Sequence, residues 1–325
     1  MATDVVNQWF QILDESADKI ANALNITYLE GIVETADNIV EEKVTPPELE
    51  RDLETLYHQI YKMDATPEQV RKAVQLVILK GMKNSAQPHH QMTPDAVALF
   101  MSYLVNKLPL KNGWTCLDLA VGTGNLLTAI LNHAHKKVDY AAGVDIDDVL
   151  MKLSVANINL QQHDVELHHQ DSLRPLLVDP VDVVVTDLPY GYYFDEENAK
   201  RFQVSSGPRP LSHYLLIEQG LTYTNPGGFL LFLIPNDLFS MDHDRKLHQL
   251  IQESAIIMGI LQLPQTMFRD ISHAKSILLL QKKGPEAKKP KQALLADLPS
   301  FKNRETMTAM MKHIDKWFKE NLPGK

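Results

Sequence analysis

Through residues 1–85 of this chain, apolar positions recur three and four apart. In "TPEQVRKAVQLVILKGM", Val70, Val74, Val77 and Ile78 mark one face of a helix, and "VVNQWFQILDESADKIANAL" is a second amphipathic stretch. Thr66, Pro67 and Gln69 read as N-cap, first helical residue and partner of a capping box. Thr45, Pro46 and Glu48 repeat that pattern ahead of "TPPELERDLETLYHQIYKM". The expectation is a helical bundle packed on a larger domain, with a partner surface as the second reading. Residues 83–92, "KNSAQPHHQM", are polar, carry Pro88 and read as a linker. A third Thr-Pro helix start follows at Thr93.

From about residue 113 the period changes. "TCLDLA", "YAAGVDI", "DVELHHQ", "VDVVVTD" and "GFLLFLIP" read as strands, with helical stretches such as "NLLTAILNHA" and "DVLMKLSVANINL" between them. This alternation predicts βαβ units, an α/β fold and a mostly parallel sheet with helices on both faces. "IIMGILQLP" and "KSILLLQKK" complete the sheet, "KKGPEAKKPKQ" is a charged connector, and "NRETMTAMMKHIDKWFKENL" is a last helix. The domains expected are residues 1–88, helical; 89–284, the α/β domain; and 285–325, a basic helical tail.

Composition narrows the class. Of 325 residues, 44% are apolar and 22% charged, as in ordinary globular proteins. No apolar run approaches the roughly 20 residues that cross a membrane. The acidic start "MATDVVNQWFQILDESADKI" is unlike a secretory signal. The single cysteine, Cys116, reads as core, which suits a reducing compartment and a cytoplasmic location. The net charge of −9 is uneven: residues 281–325 hold 11 bases against 5 acids, while residues 91–280 hold 13 bases against 21 acids. A protein gripping long duplex DNA shows a basic footprint; here only the tail is basic, and a solvated tail is the simpler reading.

Chemistry gathers at the strand ends. "LDLAVGTGNLL" is a strand, a glycine turn and a helix start, with Asp118, Gly122 and Gly124 in the pattern D-x-A-x-G-x-G. Glycines allow the tight turn and let a ligand approach the backbone. The next strand ends in Asp145, where a doubly wound fold binds ribose hydroxyls. Asp171 and Ser172 follow the third strand, and Asp187 ends the fourth. A nicotinamide fingerprint would place a glycine three residues after Gly124, where this chain has Leu127. An acid beside the glycine loop repels a pyrophosphate and suits a cationic, amino-bearing ligand such as S-adenosylmethionine (SAM). The histidine pairs His89-His90, His133/His135 and His168-His169 lie on different segments without zinc-site spacing, so no metal is expected.

"DLAVGTGNLL" resembles motif I of class I SAM-dependent methyltransferases, and "GVDID" resembles motif II. "TDLPYGYY" is similar to the (N/D)PP(F/Y) motif of amino-group methyltransferases. "QMTPDAV" looks like the Thr-Pro segment of adenine-N6 DNA methylases. "PGGFLLFLIPNDLF" and "LQLPQTMFRDISHAKSILLLQKKG" resemble type I restriction-modification methylation subunits. The stand-alone YtxK-like methylases are the best match, strongly over residues 90–283. The resemblance implies a Rossmann-like sheet of seven strands and SAM as cofactor. It places Thr93 on the methionine carboxylate, and Asp118, Ala120, Gly122, Thr123, Gly124 and Asn125 around the methionine part. It places Asp145 on the ribose, Ile146 against the adenine, and Asp171 with Ser172 at the adenine amino group. It counts Asp187 among the cofactor-binding residues as well.

Methylating an exocyclic amine is hard because its lone pair is delocalised into the ring. Asp187 and the Leu188 carbonyl can accept its two N–H groups, Pro189 biases Leu188 toward extended backbone, and Tyr190 offers a stacking face. Asp187, Leu188, Pro189 and Tyr190 are therefore the catalytic candidates. Tyr192 and Tyr193 line the substrate side or pack. The family has Pro at the position of Leu188, so an added N–H and a looser turn are expected. The leading expectation is methylation of adenine N6 in DNA. Amino or amide methylation of RNA or protein, and a non-catalytic SAM-binding module, are the alternatives. Without an obvious recognition domain, a specificity partner protein is also expected.

Overall fold

The structure, a computed structural model, describes residues 2–84 and 92–322. Most of the expected linker, with Pro88 and the His89-His90 pair, lies outside the described residues. The chain divides into two compact units. The first comprises Met1–Ala98, Val121–His133 and Asp145–His169; the second comprises Leu99–Ala120, Ala134–Val144 and Gln170–Lys325. The glycine turn and its helix thus belong with the N-terminal helices, a division the sequence does not announce.

The first unit opens with α1 (Ala2–Leu24), α2 (Tyr28–Glu41), α3 (Glu50–Tyr61) and α4 (Pro67–Asn84). Their apolar faces meet in one core, which holds Leu13, Ile20, Ile32, Leu53, Val74 and Ile78 together with Leu153 and Ala156 of α7 (Asp148–Leu160). Each fully buried side chain of this kind contributes about 1.5–3 kcal/mol. A hydroxyl cluster sits inside that core, the Ser16 hydroxyl lying 2.6 Å from Tyr57 Oη and 2.9 Å from Thr35 Oγ1.

The Thr66–Gln69 capping box forms: Thr66 N–H donates to Gln69 Oε1 at 2.8 Å, and Gln69 N–H donates to Thr66 Oγ1 at 3.3 Å. The Thr45 cap does not. Pro47–Leu49 is a separate 3-10 turn with Pro46 ahead of it, and Thr45 instead exchanges two hydrogen bonds with the Asn38 side chain. The competing partner is the Asn38 amide, which offers both a donor and an acceptor. A second box, Thr27 with Glu30, heads α2.

The rest of the chain adds α5 (Asp95–Lys107), β1 (Trp114–Asp118), α6 (Asn125–Asn132), β2 (Val138–Asp145), β3 (Glu166–His169) and β4 (Val181–Asp187). Then follow α8 (Glu196–Ala199), α9 (Ser212–Thr222), β5 (Thr224–Pro235), α10 (Lys246–Ser254), β6 (Ala255–Gln262), β7 (Lys275–Lys282), β8 (Leu294–Asp297) and α11 (Arg304–Asn321). The sheet order is β3-β2-β1-β4-β5-β7-β6-β8. The pairs β1–β2, β1–β4, β4–β5 and β6–β8 are parallel, and β7 is antiparallel to both neighbours. This is the expected α/β architecture with one correction, eight strands rather than seven. The added strand, β8, comes from the segment read as a helical tail.

That segment is not a solvated tail either. Met307, Ile314, Trp317 and Phe318 of α11 are buried. Asp315 accepts from Tyr103 Oη at 2.6 Å and from Lys107 Nζ at 2.7 Å, tying α11 to α5. Apolar residues spaced three and four apart inside the basic stretch supply the buried face. The second unit's core runs through β4 and β5, where Val183, Val184, Val185, Leu230 and Leu231 have no exposed surface.

Candidate active site

In the first unit, the turn between β1 and α6 carries the glycine pattern. Gly122 and Gly124 have φ of +55° and +76°, the left-handed region where a side chain is strained. A Cβ on Gly122 would meet nothing within 4 Å, so this backbone faces open space. Gly122 N–H donates to Asp145 Oδ2 at 2.8 Å, and Asp147 N–H donates to Asp145 Oδ1 at 2.9 Å. The two backbone bonds fix the carboxylate, and each oxygen keeps a lone pair for a hydroxyl. Burial pushes the Asp145 carboxyl above its usual range, against those hydrogen bonds. Beside it Ile146 is 67% exposed, an aliphatic face presented to solvent.

Thr123 and Asn125 are buried. The Thr123 carbonyl accepts from Asn157 Nδ2 at 2.9 Å. Asn125 turns away from the turn and toward the N-terminal helices: its Nδ2 donates to the Thr93 carbonyl at 2.9 Å, and its Oδ1 accepts from Arg71 Nη1 at 2.7 Å. Thr93 and Asn125, far apart in sequence, are therefore joined directly. Arg71 was not legible from sequence, because a lone arginine in an amphipathic helix looks like surface charge.

In the second unit, Asp118 folds back to accept from Ala120 N–H at 3.1 Å and braces the end of β1. Ser172 donates to the Leu119 carbonyl at 2.5 Å and serves the backbone. Asp171 accepts from Leu173 N–H at 2.9 Å and from Tyr193 Oη at 2.5 Å. Burial and the Asp171 charge push the Tyr193 phenol up to about 12. Tyr193, one of two tyrosines with an open role, thus packs as the partner of Asp171.

The end of β4 holds the catalytic candidates. Lys275 Nζ donates to Asp187 Oδ1 at 2.6 Å. The lysine starts β7 and pairs with Pro235 at the end of β5, whose Leu233 pairs with Asp187. Antiparallel register therefore carries it to the same sheet edge, 88 residues along the chain. Leu188 is 1% exposed and part of the core, and its N–H donates to the Leu233 carbonyl at 3.2 Å. The N–H that Pro would lack is satisfied, and the side chain is an anchor in the core.

Tyr190 is 60% exposed and stacks on His213, ring centroids 5.1 Å apart and planes 13° from parallel. His213 meets Tyr214 edge-on at 5.0 Å. It is fully buried, neither ring nitrogen has a hydrogen-bond partner among the described residues, and burial lowers its pKa to about 4. The neutral imidazole backs the tyrosine from below. Because the folded pKa lies below the ordinary 6.5, the unfolded chain takes up this proton first. Stability should therefore fall as pH drops from 6.5 to about 4, by up to about 3 kcal/mol from this residue, and flatten below. Denaturant titrations across that range should show the slope, and His213→Phe should reduce it. An unchanged slope in the phenylalanine variant would reject the assignment.

Within the first unit, a fixed acid faces the glycine turn and an exposed aliphatic side chain lies next to it. Within the second, carboxylates end β1 and β4. Among the described residues, no helix is long and apolar enough to cross a membrane.

Comparison with known proteins agrees. Residues 7–82 match the YtxK N-terminal helical domain, and residues 79–320 match the N-6 DNA methylase family. An uncharacterized protein of Bacillus subtilis (strain 168), YtxK, is 45% identical over 327 residues, spanning 98% of this chain and 99% of that protein. A crystal structure from Listeria monocytogenes, described as a candidate class I SAM-dependent methyltransferase, superposes with a TM-score of 0.90. It is 40% identical, with 97% and 99% of the two chains covered. The methylase subunit of the type I restriction enzyme EcoEI of Escherichia coli is 26% identical over 227 residues, 65% of this chain and 46% of that subunit. The cofactor that goes with these matches is SAM. The chain, from its YtxK-type helices through its eight-stranded sheet, belongs to the N-6 DNA methylase family.

Proposed function

We propose that this methyltransferase acts on an exocyclic amino nitrogen, with adenine N6 in DNA first among acceptors. The observation that supports this reading is the end of β4, where the Asp187 carboxylate stands three residues before a Tyr190 ring that is 60% exposed and stacked from below on His213. That is the equipment for a flat acceptor carrying N–H groups.

SAM supplies an electrophilic methyl group on a sulfonium. Asp145 would take the ribose hydroxyls while its bond to Gly122 holds the turn; Ile146 would cover one face of the adenine, and Asp171 its amino edge. Thr93 would meet the methionine carboxylate. On the acceptor side, Asp187 and the Leu188 carbonyl each accept one N–H. This draws the nitrogen out of conjugation and aims its lone pair. Lys275 fixes the orientation of the Asp187 carboxylate, and the buried Leu188 side chain fixes the backbone that carries the second acceptor. The nitrogen gains the methyl carbon as the carbon–sulfur bond breaks, its electron pair staying with the departing thioether, and sheds a proton, for which Asp187 is the adjacent acceptor. The remaining advantage is proximity of the two reactants.

DNA as acceptor draws on family membership and on the kinship with a restriction-enzyme methylase subunit. Sequence choice would then fall to a partner protein. The test is methyl-labelled SAM, purified protein and an extract from cells lacking the gene, with products separated into DNA, RNA, protein and small molecules. Label in DNA at N6-methyladenine supports the reading. Label only in RNA or protein moves the acceptor. No label anywhere, from protein shown to bind SAM, rejects transfer.

A further inference from the structure

Arg71 lies in α4, within the helices that carry the YtxK-type match, and has no exposed surface. A guanidinium is not buried without strong compensation. Here the compensation is specific. Nε and Nη2 each donate to one oxygen of Glu68 at 2.7 Å, a bidentate clamp within the same helix. Nη2 also donates to Asp95 Oδ1 at 2.6 Å, on the first residue of α5. Nη1 donates to Asn125 Oδ1 at 2.7 Å, on the first residue of α6. Asn125 in turn donates to the Thr93 carbonyl at 2.9 Å. One planar group therefore ties three helix starts together. Burial opposes ionisation of Glu68, but the hydrogen bonds and charge of Arg71 prevail and hold that carboxyl down to about 2. Lysine could not replace this arginine, since it offers one point of charge rather than a planar fork.

What the fork holds is informative. Asn125 immediately follows Gly124, and Thr93 stands two residues before Asp95. Both flank the place where the methionine end of SAM is assigned. We propose that Arg71 is a positioning residue for the cofactor: through Asn125 and Thr93 it sets the part of the site that receives the amino-acid moiety, which makes the N-terminal helices a component of the cofactor site. This rests on the assignment of Thr93 to the methionine carboxylate.

The test compares two ligands by calorimetry on the full-length protein. SAM carries the amino-acid moiety; methylthioadenosine carries only the adenosine and sulfur. In Arg71→Lys, and separately in Asn125→Ala, SAM should bind at least about tenfold more weakly, while methylthioadenosine stays within about threefold of wild type. Asn125→Ala leaves the Arg71 clamp on Glu68 and Asp95 in place, so it serves where the lysine variant fails to fold. Circular dichroism and the melting temperature identify folded variants. An equal loss for both ligands in a folded variant overturns the proposal in favour of general support of the fold, and an unchanged SAM affinity overturns it outright. Wild-type protein that binds methylthioadenosine and SAM equally well would instead sink the Thr93 assignment.

Discussion

Asp187→Ala should lower methyl transfer by about 100- to 1,000-fold, the usual cost of removing one preorganised hydrogen-bonding partner from a reacting group. Affinity for SAM should stay within about tenfold, or 1.4 kcal/mol. The two effects separate because the carboxylate is assigned to the amine, whereas the ribose and adenine contacts are assigned to Asp145, Ile146 and Asp171. The alanine also leaves the Lys275 ammonium without the oxygen it holds at 2.6 Å. An amine acceptor would then face an unneutralised cation, which repels N–H groups. Asp187→Asn is the informative companion. It keeps one acceptor oxygen and should retain measurable transfer, as the N-or-D pattern of amino methyltransferases implies. Single-turnover rates with labelled SAM, set beside calorimetric affinities, give both numbers. Transfer unchanged in the alanine variant would remove Asp187 from the mechanism.

The second large effect is on the cofactor itself. Asp145→Ala should weaken SAM on the order of 100-fold, since the charge-assisted hydrogen bonds assigned to the two ribose hydroxyls would be lost and each such bond contributes about 1.5–3 kcal/mol. The Gly122 N–H also loses its acceptor, so the turn is released from the end of β2. Methylthioadenosine contains the same ribose and should weaken in parallel. That common loss contrasts with the selective one expected at Arg71, and the pair of results would map the two ends of the cofactor onto different residues. SAM affinity within threefold of wild type would discard the ribose assignment.

The parts legible in the sequence were those with a local cause. Helical spacing in α4, the buried β-branched run of β4 and the glycine turn after β1 each follow from residues within about ten positions. The acid at the end of β2 was visible because strand and turn signals frame it. The parts that escaped depend on distant pairing. Lys275 reaches Asp187 only through the register of β7 on β5 and of β5 on β4. Arg71 and His213 look like ordinary helix residues until tertiary packing removes their water. The Thr45 cap escapes the sequence because it depends on which acceptor takes the Thr45 N–H, and Asn38 Oδ1 takes it. Strand β8 has only four residues, too few for a period to show.

That short strand has a consequence for the edge of the sheet. An open strand exposes unpaired N–H and C=O groups, a template on which another chain can add. β8 covers β6 along Gly259 to Gln262 and is itself only four residues long. Trp317 of α11 hydrogen-bonds to the Gln292 carbonyl just before it, so the helix pins the strand in place. The basic segment thus acts as a selvedge, hemming part of an edge that would otherwise be the whole length of β6.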